Sequence, residues 1–288
     1  MDEGTVREVL AEHGLAAGVV RPLGGGLDHA TFLVDDELVV RLVREEADRA
    51  RVVPEARLLA AVAGAVPLPV PEPLVVDAGR GCLAYRRLPG RPVLGLPGVA
   101  DHAVGLGEAL GRFLAALHRL PTDLAEPDDA PLREWLEEAR ALYPGIRTHV
   151  PAHHRAAVEA FLAAPPPAEG TAPVLTHNDL GAEHVLVDDA WQVTGVVDWG
   201  DAAVTDPARD LGLLLRDLGP RGLDAALTAY GPGIDAADLE RAAFHARCAT
   251  LADLAYGLGS GLTDYTAQAL TALGRLFPSA HAADGGDP

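Results

Sequence analysis

The chain changes its hydrophobic period once, at Pro89-Gly90-Arg91-Pro92, and that switch restricts the fold more than any single motif does. Before it, apolar residues come in short β-branched runs. Residues 19–23 lead into Gly24-Gly25-Gly26, and residues 30–34 and 38–43 flank Asp35-Asp36-Glu37 like the arms of a hairpin. Residues 74–77 and 82–87 read as two further strands around Ala78-Gly79-Arg80-Gly81. One helix pattern, 54–66, interrupts them. It puts Leu58, Leu59 and Val62 on one face and a proline in the first turn, where a missing N–H costs nothing.

After the switch the period is helical. Leu106, Leu110, Phe113, Leu114 and Leu117 form one amphipathic stripe. Further helices are expected over 135–142, 155–163, 211–218, 223–230, 236–258 and 263–277, with a Pro-rich connector at 164–173. Two short apolar strands, 184–187 and 193–197, are embedded among them. Strands segregated to one end predict an α+β chain in two lobes. Residues 1–88 are expected to form a small antiparallel-sheet lobe with one helix, 89–278 a larger, mostly helical lobe, and 279–288 a tail.

Charge narrows the partners. The 23 basic residues are all arginine and face 42 acidic ones, a formal net charge of −19. A chain this acidic is unsuited to neutralising the phosphates of nucleic acid and better suited to cationic small molecules. Cys82 and Cys248 lack the spacing of a metal knuckle or a disulfide framework. The acidic start, Met1-Asp2-Glu3-Gly4, leads into a short amphipathic segment unlike a secretion signal, and no apolar stretch is long enough for a bilayer. The expectation is a cytoplasmic protein with no membrane partner.

The densest polar stretch is Thr176-His177-Asn178-Asp179-Leu180-Gly181-Ala182-Glu183-His184. Beyond it come Val196-Val197-Asp198-Trp199-Gly200-Asp201 and Asp206-Pro207-Ala208-Arg209-Asp210-Leu211. Phosphoryl transfer to an alcohol needs a carboxylate to take the hydroxyl proton, ligands for Mg²⁺, a cation on the phosphates and a glycine turn around them. Asp179 is the candidate base, His184 and Asp198 are the candidate Mg²⁺ ligands, Arg41 is the cation, and Gly24, Gly25 and Gly26 are the cradle.

These motifs in tandem resemble the aminoglycoside phosphotransferase family of antibiotic kinases, over about Leu23 to Leu218. The resemblance implies the bilobal protein-kinase-like fold. It implies Asp179 as catalytic base, His184 in the place of a metal-binding Asn, Asp198 as the second metal ligand, Arg41 in the place of a strand Lys, and Glu55 as its partner. The implied nucleotide site, for ATP or GTP, adds Tyr85 and Arg87 at the hinge 84–87. The implied reaction moves the γ-phosphate of a Mg-nucleotide to a hydroxyl of a small, cationic antibiotic or a macrolide. A metabolic kinase for an amino alcohol or sugar, and a nucleotide-binding pseudokinase, are the alternatives. Asp201, Glu240, Asp253, Asp264, Tyr256 and Tyr265 are candidate acceptor contacts. His177 is expected to brace its loop, Asp206 to brace a turn, Asp210 to cap a helix, and His149, His153 and His154 to be solvated.

Overall fold

The computed structural model describes residues 2–24 and 29–278. The N-terminal amphipathic segment is helix α1 (Glu3–Glu12), whose first turn is closed by the Thr5 N–H donating to the Asp2 carboxylate at 3.1 Å. Strands β1 (Val20–Gly24), β2 (His29–Val34) and β3 (Leu38–Val43) follow as antiparallel neighbours. A 3-10 turn at Glu46–Arg51 runs into α2 (Val52–Val62), which starts earlier and ends sooner than the 54–66 pattern indicated. Strands β4 (Pro73–Asp77) and β5 (Cys82–Arg86) complete a five-stranded sheet of order β1-β2-β3-β5-β4.

Both faces of this sheet are covered, which explains why Leu38–Val43 is apolar almost throughout. Val6, Val9 and Leu10 of α1 pack with Val34, Val40, Leu42, Val75 and Ala84. Val52, Leu58, Leu59 and Val62 of α2 pack with Leu33, Val39, Val43, Leu83 and Tyr85 on the other side. Each such aliphatic side chain contributes roughly 1.5–3 kcal/mol on burial. Side chains alternate along a strand, so Arg41, between Val40 and Leu42, shares the face of Val39 and Val43 and meets α2.

The chain then crosses through β6 (Arg91–Pro92) into α3 (Val99–Leu117), α4 (Leu132–Ile146) and α5 (Ala152–Ala163). Four short strands follow: β7 (Val174–Thr176), β8 (Val185–Val187), β9 (Val193–Val196) and β10 (Ala203–Thr205). Helices α6 (Ala208–Tyr230), α7 (Ala236–Ser260) and α8 (Thr263–Leu276) close the fold. The two helices expected over 211–218 and 223–230 are the halves of α6, bent where Gly219 takes φ 73° ahead of Pro220. One core runs from the sheet into α3 and α6, and a second lies among α4, α5, α7 and α8. His149 and His153 are exposed, but His154 is not a solvated residue: it is buried, with Nδ1 2.7 Å from the Phe277 carbonyl, because α5 packs its face onto the end of α8. Among the described residues no helix is long and apolar enough to cross a membrane.

Candidate active site

Two strand pairings set the site. Thr176 of β7 pairs with Ala203 of β10, and Val185 of β8 pairs with Val196 of β9. Each pairing therefore fixes one end of the loop 177–184 and one end of the loop 197–202, so the two motifs must face each other. Three hydrogen bonds fasten them together. The Val197 N–H donates to the His184 carbonyl at 2.9 Å, the Asn178 side chain donates to the Asp201 carbonyl at 2.9 Å, and His177 Nε2 lies 3.1 Å from the Val197 carbonyl. Burial holds His177 well below the usual imidazole range, at about 4, so it is a neutral donor that braces the loops as expected. Trp199 is 1% exposed and anchors the second loop from beneath, donating from Nε1 to the Val196 carbonyl at 3.1 Å. Asn178 and Asp198 take φ values of 69° and 63°, a left-handed conformation that non-glycine residues adopt at a cost and that clusters at functional sites.

The predicted residues form a continuous chain of charges. Arg41, 5% exposed, donates from Nη1 to Glu55 Oε1, and its Nη2 lies 3.1 Å from Asp198 Oδ1. The other Asp198 oxygen, Oδ2, is 3.6 Å from His184 Nε2, and His184 Nδ1 is 3.4 Å from Asp179 Oδ2. Burial alone lowers the pKa of Arg41, but Glu55 and Asp198 outweigh it and hold the guanidinium charged. Burial also works against the Asp198 carboxylate, yet Arg41, His184 and His177 pull it below its ordinary value. Asp179 goes the other way. Desolvation in the cleft pushes it up to about 6, opposed by His184 and reinforced by Glu183 and Asp201. A carboxylate in that range is a better proton acceptor than an ordinary aspartate.

His184 has one ring nitrogen committed to the backbone and one open to a ligand. Its Nδ1 is 2.8 Å from the Asp179 carbonyl, which can only accept, so Nδ1 carries a proton. Nε2 is left facing Asp198 Oδ2, while the 3.1 Å approach of Arg41 is to Oδ1. An imidazole nitrogen oriented by a backbone carbonyl beside a carboxylate oxygen is a donor pair for a metal. Glu183, which the sequence reading did not single out as a ligand, belongs to a second cluster that does not include Asp198: potential ligand atoms of Asp179, Glu183 and His184 all lie within 4.8 Å of one another.

A cavity of about 260 Å³ opens between the sheet and these loops, lined in part by His29, Thr31, Arg41, Glu55, Asp198 and Gly200. Gly24 ends β1 opposite Thr31, while Gly25 and Gly26 lie outside the described residues. Tyr85 is buried in the core against α2, whereas the Arg87 side chain is exposed and its N–H donates to the Glu37 carbonyl at 2.7 Å. Of the acceptor candidates, Asp253, Tyr256 and Tyr265 gather near Asp179. The tyrosine rings are 5.1 Å apart, and Asp253 is pushed up to about 7, first by burial and in part by the charge of Asp179. Glu240 is exposed and about 20 Å further along α7, outside that group.

Asp210 is not a helix cap. Its buried carboxylate accepts the His177 N–H at 3.0 Å and the Asn178 N–H at 2.9 Å, and lies 3.1 Å from His118 Nε2. It stands in the first turn of α6, where capping was the natural reading, but the packing of α6 on α3 points it into the first loop. Asp206 does brace its turn, accepting from the Ala208 N–H at 2.9 Å and pairing with Arg241. His118, which caps the C-terminal end of α3, was not legible as part of the site, because nothing in its local sequence marks it.

The sequence profile of the phosphotransferase enzyme family matches residues 19–245. Viomycin phosphotransferase of Streptomyces vinaceus is 30% identical over 212 residues, which is 69% of this chain and 74% of that protein. Macrolide 2'-phosphotransferase MphH from Brachybacterium faecium, 27% identical, superposes with a TM-score of 0.64 over 93% of this chain and 97% of its own. The GDP complex of wild-type aminoglycoside 2'-phosphotransferase-IIIa, at 21% identity, gives 0.70 over 95% and 97%, a likeness of fold. With the profile spanning both loops, the sheet and α6, the chain belongs to the phosphotransferase enzyme family.

Proposed function

We propose that this protein is an antibiotic kinase that moves the γ-phosphoryl group of ATP or GTP to a hydroxyl of a small, cationic antibiotic. The observation that carries the reading is the unbroken series Glu55–Arg41–Asp198–His184–Asp179, which places a fixed cation, a metal-competent donor pair and a raised carboxylate side by side. On this reading Arg41 steadies the phosphates, and His184 Nε2 with Asp198 Oδ2 holds Mg²⁺, which supplies charge neutralisation to the phosphates when bound. Asp179 orients the acceptor hydroxyl and takes its proton. The nucleotide lies between a lobe of residues 1–88, including Gly24 and the hinge at Tyr85 and Arg87, and a lobe of residues 89–278. Its use as donor places the reaction in the cytoplasm. The net charge of −19 and the group Asp253, Tyr256 and Tyr265 beside Asp179 favour a cationic acceptor, as does the similarity to a viomycin kinase.

The test is purified protein with Mg-ATP or Mg-GTP against viomycin, an aminoglycoside and a macrolide, read as phosphoryl addition to the antibiotic by mass spectrometry. The reading expects one of these to be phosphorylated with multiple turnovers. An amino alcohol or sugar phosphorylated in their place would make it a metabolic kinase, and nucleotide bound without turnover a pseudokinase.

A further inference from the structure

Helix α6 buries a cationic side chain that the reaction just described does not use. Arg216 is 3% exposed, and three carboxylates surround its guanidinium. Nε is 2.6 Å from Asp217 Oδ1, Nη1 is 2.6 Å from Asp253 Oδ2 on α7, and Nη2 is 3.6 Å from Glu183 Oε2 in the first loop. Asp217 is itself bound to that loop, since its Oδ2 accepts both the Ala182 N–H at 2.7 Å and Arg216 Nη2 at 3.0 Å. Gly181 makes the fit possible: a Cβ there would lie 2.8 Å from Arg216 Nη2 and 2.4 Å from Glu183 Oε2. The segment between Asp179 and His184 thus rests on the guanidinium.

A guanidinium is a planar, rigid fork of donors, so a shift of one partner is passed to the others. One of those partners, Asp253, belongs to α7, three residues before Tyr256, whose ring packs edge-on against Tyr265 of α8. The loop that carries Asp179 and the helical face beside it therefore share one anchor.

We propose that Arg216 is a positioning residue for phosphoryl transfer: it ties α7, through Asp253, to the catalytic loop, through Asp217 and Glu183, and so fixes Asp179 against the acceptor. The inference rests on the kinase reading of Asp179. Arg216→Met leaves three acids without their cation and is prone to misfold. The main variant is therefore Asp253→Asn, which keeps the shape and removes the carboxyl partner of Nη1 on α7 alone, with Arg216→Lys as the second. For both, hydrogen exchange at the Ala182 amide is expected to rise about tenfold, while the His177 and Asn178 amides, held by Asp210, keep their protection. Mg-ATP and Mg-GTP dissociation constants are expected to stay at the wild-type values, and kcat with viomycin to fall about tenfold or more while the nucleotide KM holds. Wild-type exchange at Ala182 together with wild-type kcat in Asp253→Asn would overturn the proposal. So would parallel loss of nucleotide binding and of protection at His177 and Asn178, which marks a merely structural role. A wild-type protein that binds nucleotide but phosphorylates no acceptor removes the kinase reading and leaves the anchor to be decided by the Ala182 exchange alone.

Discussion

At the scale of single residues, Asp210 shows how a buried carboxylate organises the loop that carries Asp179. Burial acts to raise its pKa, but His118, His177 and the Asn178 amide outweigh that and hold it below 3.8. A depressed carboxyl stabilises the fold above its unfolded pKa, and that contribution is lost as pH falls through the folded value. Asp210→Asn turns one acceptor into a donor facing a backbone N–H, and is expected to cost about 2 kcal/mol at pH 7. The difference from wild type is expected to shrink as the pH drops below about 4. Urea denaturation at neutral and acid pH measures both, and a difference that does not vary with pH contradicts the assignment. Asp179 and Asp198 stood out in the sequence because each sits in a short polar motif, whereas Arg41 was placed by its position on a strand in the family resemblance. Asp210's role was not, since its partners His177 and His118 are 33 and 92 positions away and only the fold brings them together.

Among the elements, α3 and α6 cross so closely that glycine is required on one side of α3 and merely tolerated on another. A Cβ on Gly107 would lie 2.1 Å from the Gly222 carbonyl oxygen, and one on Gly111 2.1 Å from that of Ala226, both immobile backbone atoms. Gly105 is exposed and has nothing within 4 Å of its would-be Cβ. Gly107→Ala is therefore expected to destabilise by about 1–3 kcal/mol through overpacking, and Gly105→Ala to stabilise by about 0.5–1 kcal/mol through helix propensity. Thermal melts of the two variants should move in opposite directions, and a shared direction would mean the crossing is looser than described. The stripe of Leu106, Leu110, Phe113, Leu114 and Leu117 announced α3 because a long helix repeats its period several times. Strands β7 and β10 went unread because three residues are too few to show a period, although their pairing is what fixes the site.

For the molecule as a whole, the two lobes were legible from the change of period, and the sheet's double cover explains why its central strand showed no alternation. A chain with a formal net charge of −19 attracts cations over long range. For a polycationic acceptor, kcat/KM is expected to fall as salt is raised from about 0.01 to 0.15 M, because the screening length shortens from about 30 to 8 Å. Stopped assays across that range check this, and a salt-independent kcat/KM would remove long-range steering from the account. The central claim is that the converging loops make Asp179 the proton acceptor beside a nucleotide held by Arg41 and Asp198. Single-turnover transfer from γ-labelled Mg-nucleotide by Asp179→Asn, set beside the nucleotide dissociation constant, tests it most directly. The expected result is transfer slowed by about 10²–10⁴-fold with nucleotide affinity unchanged, and transfer at the wild-type rate would contradict the account.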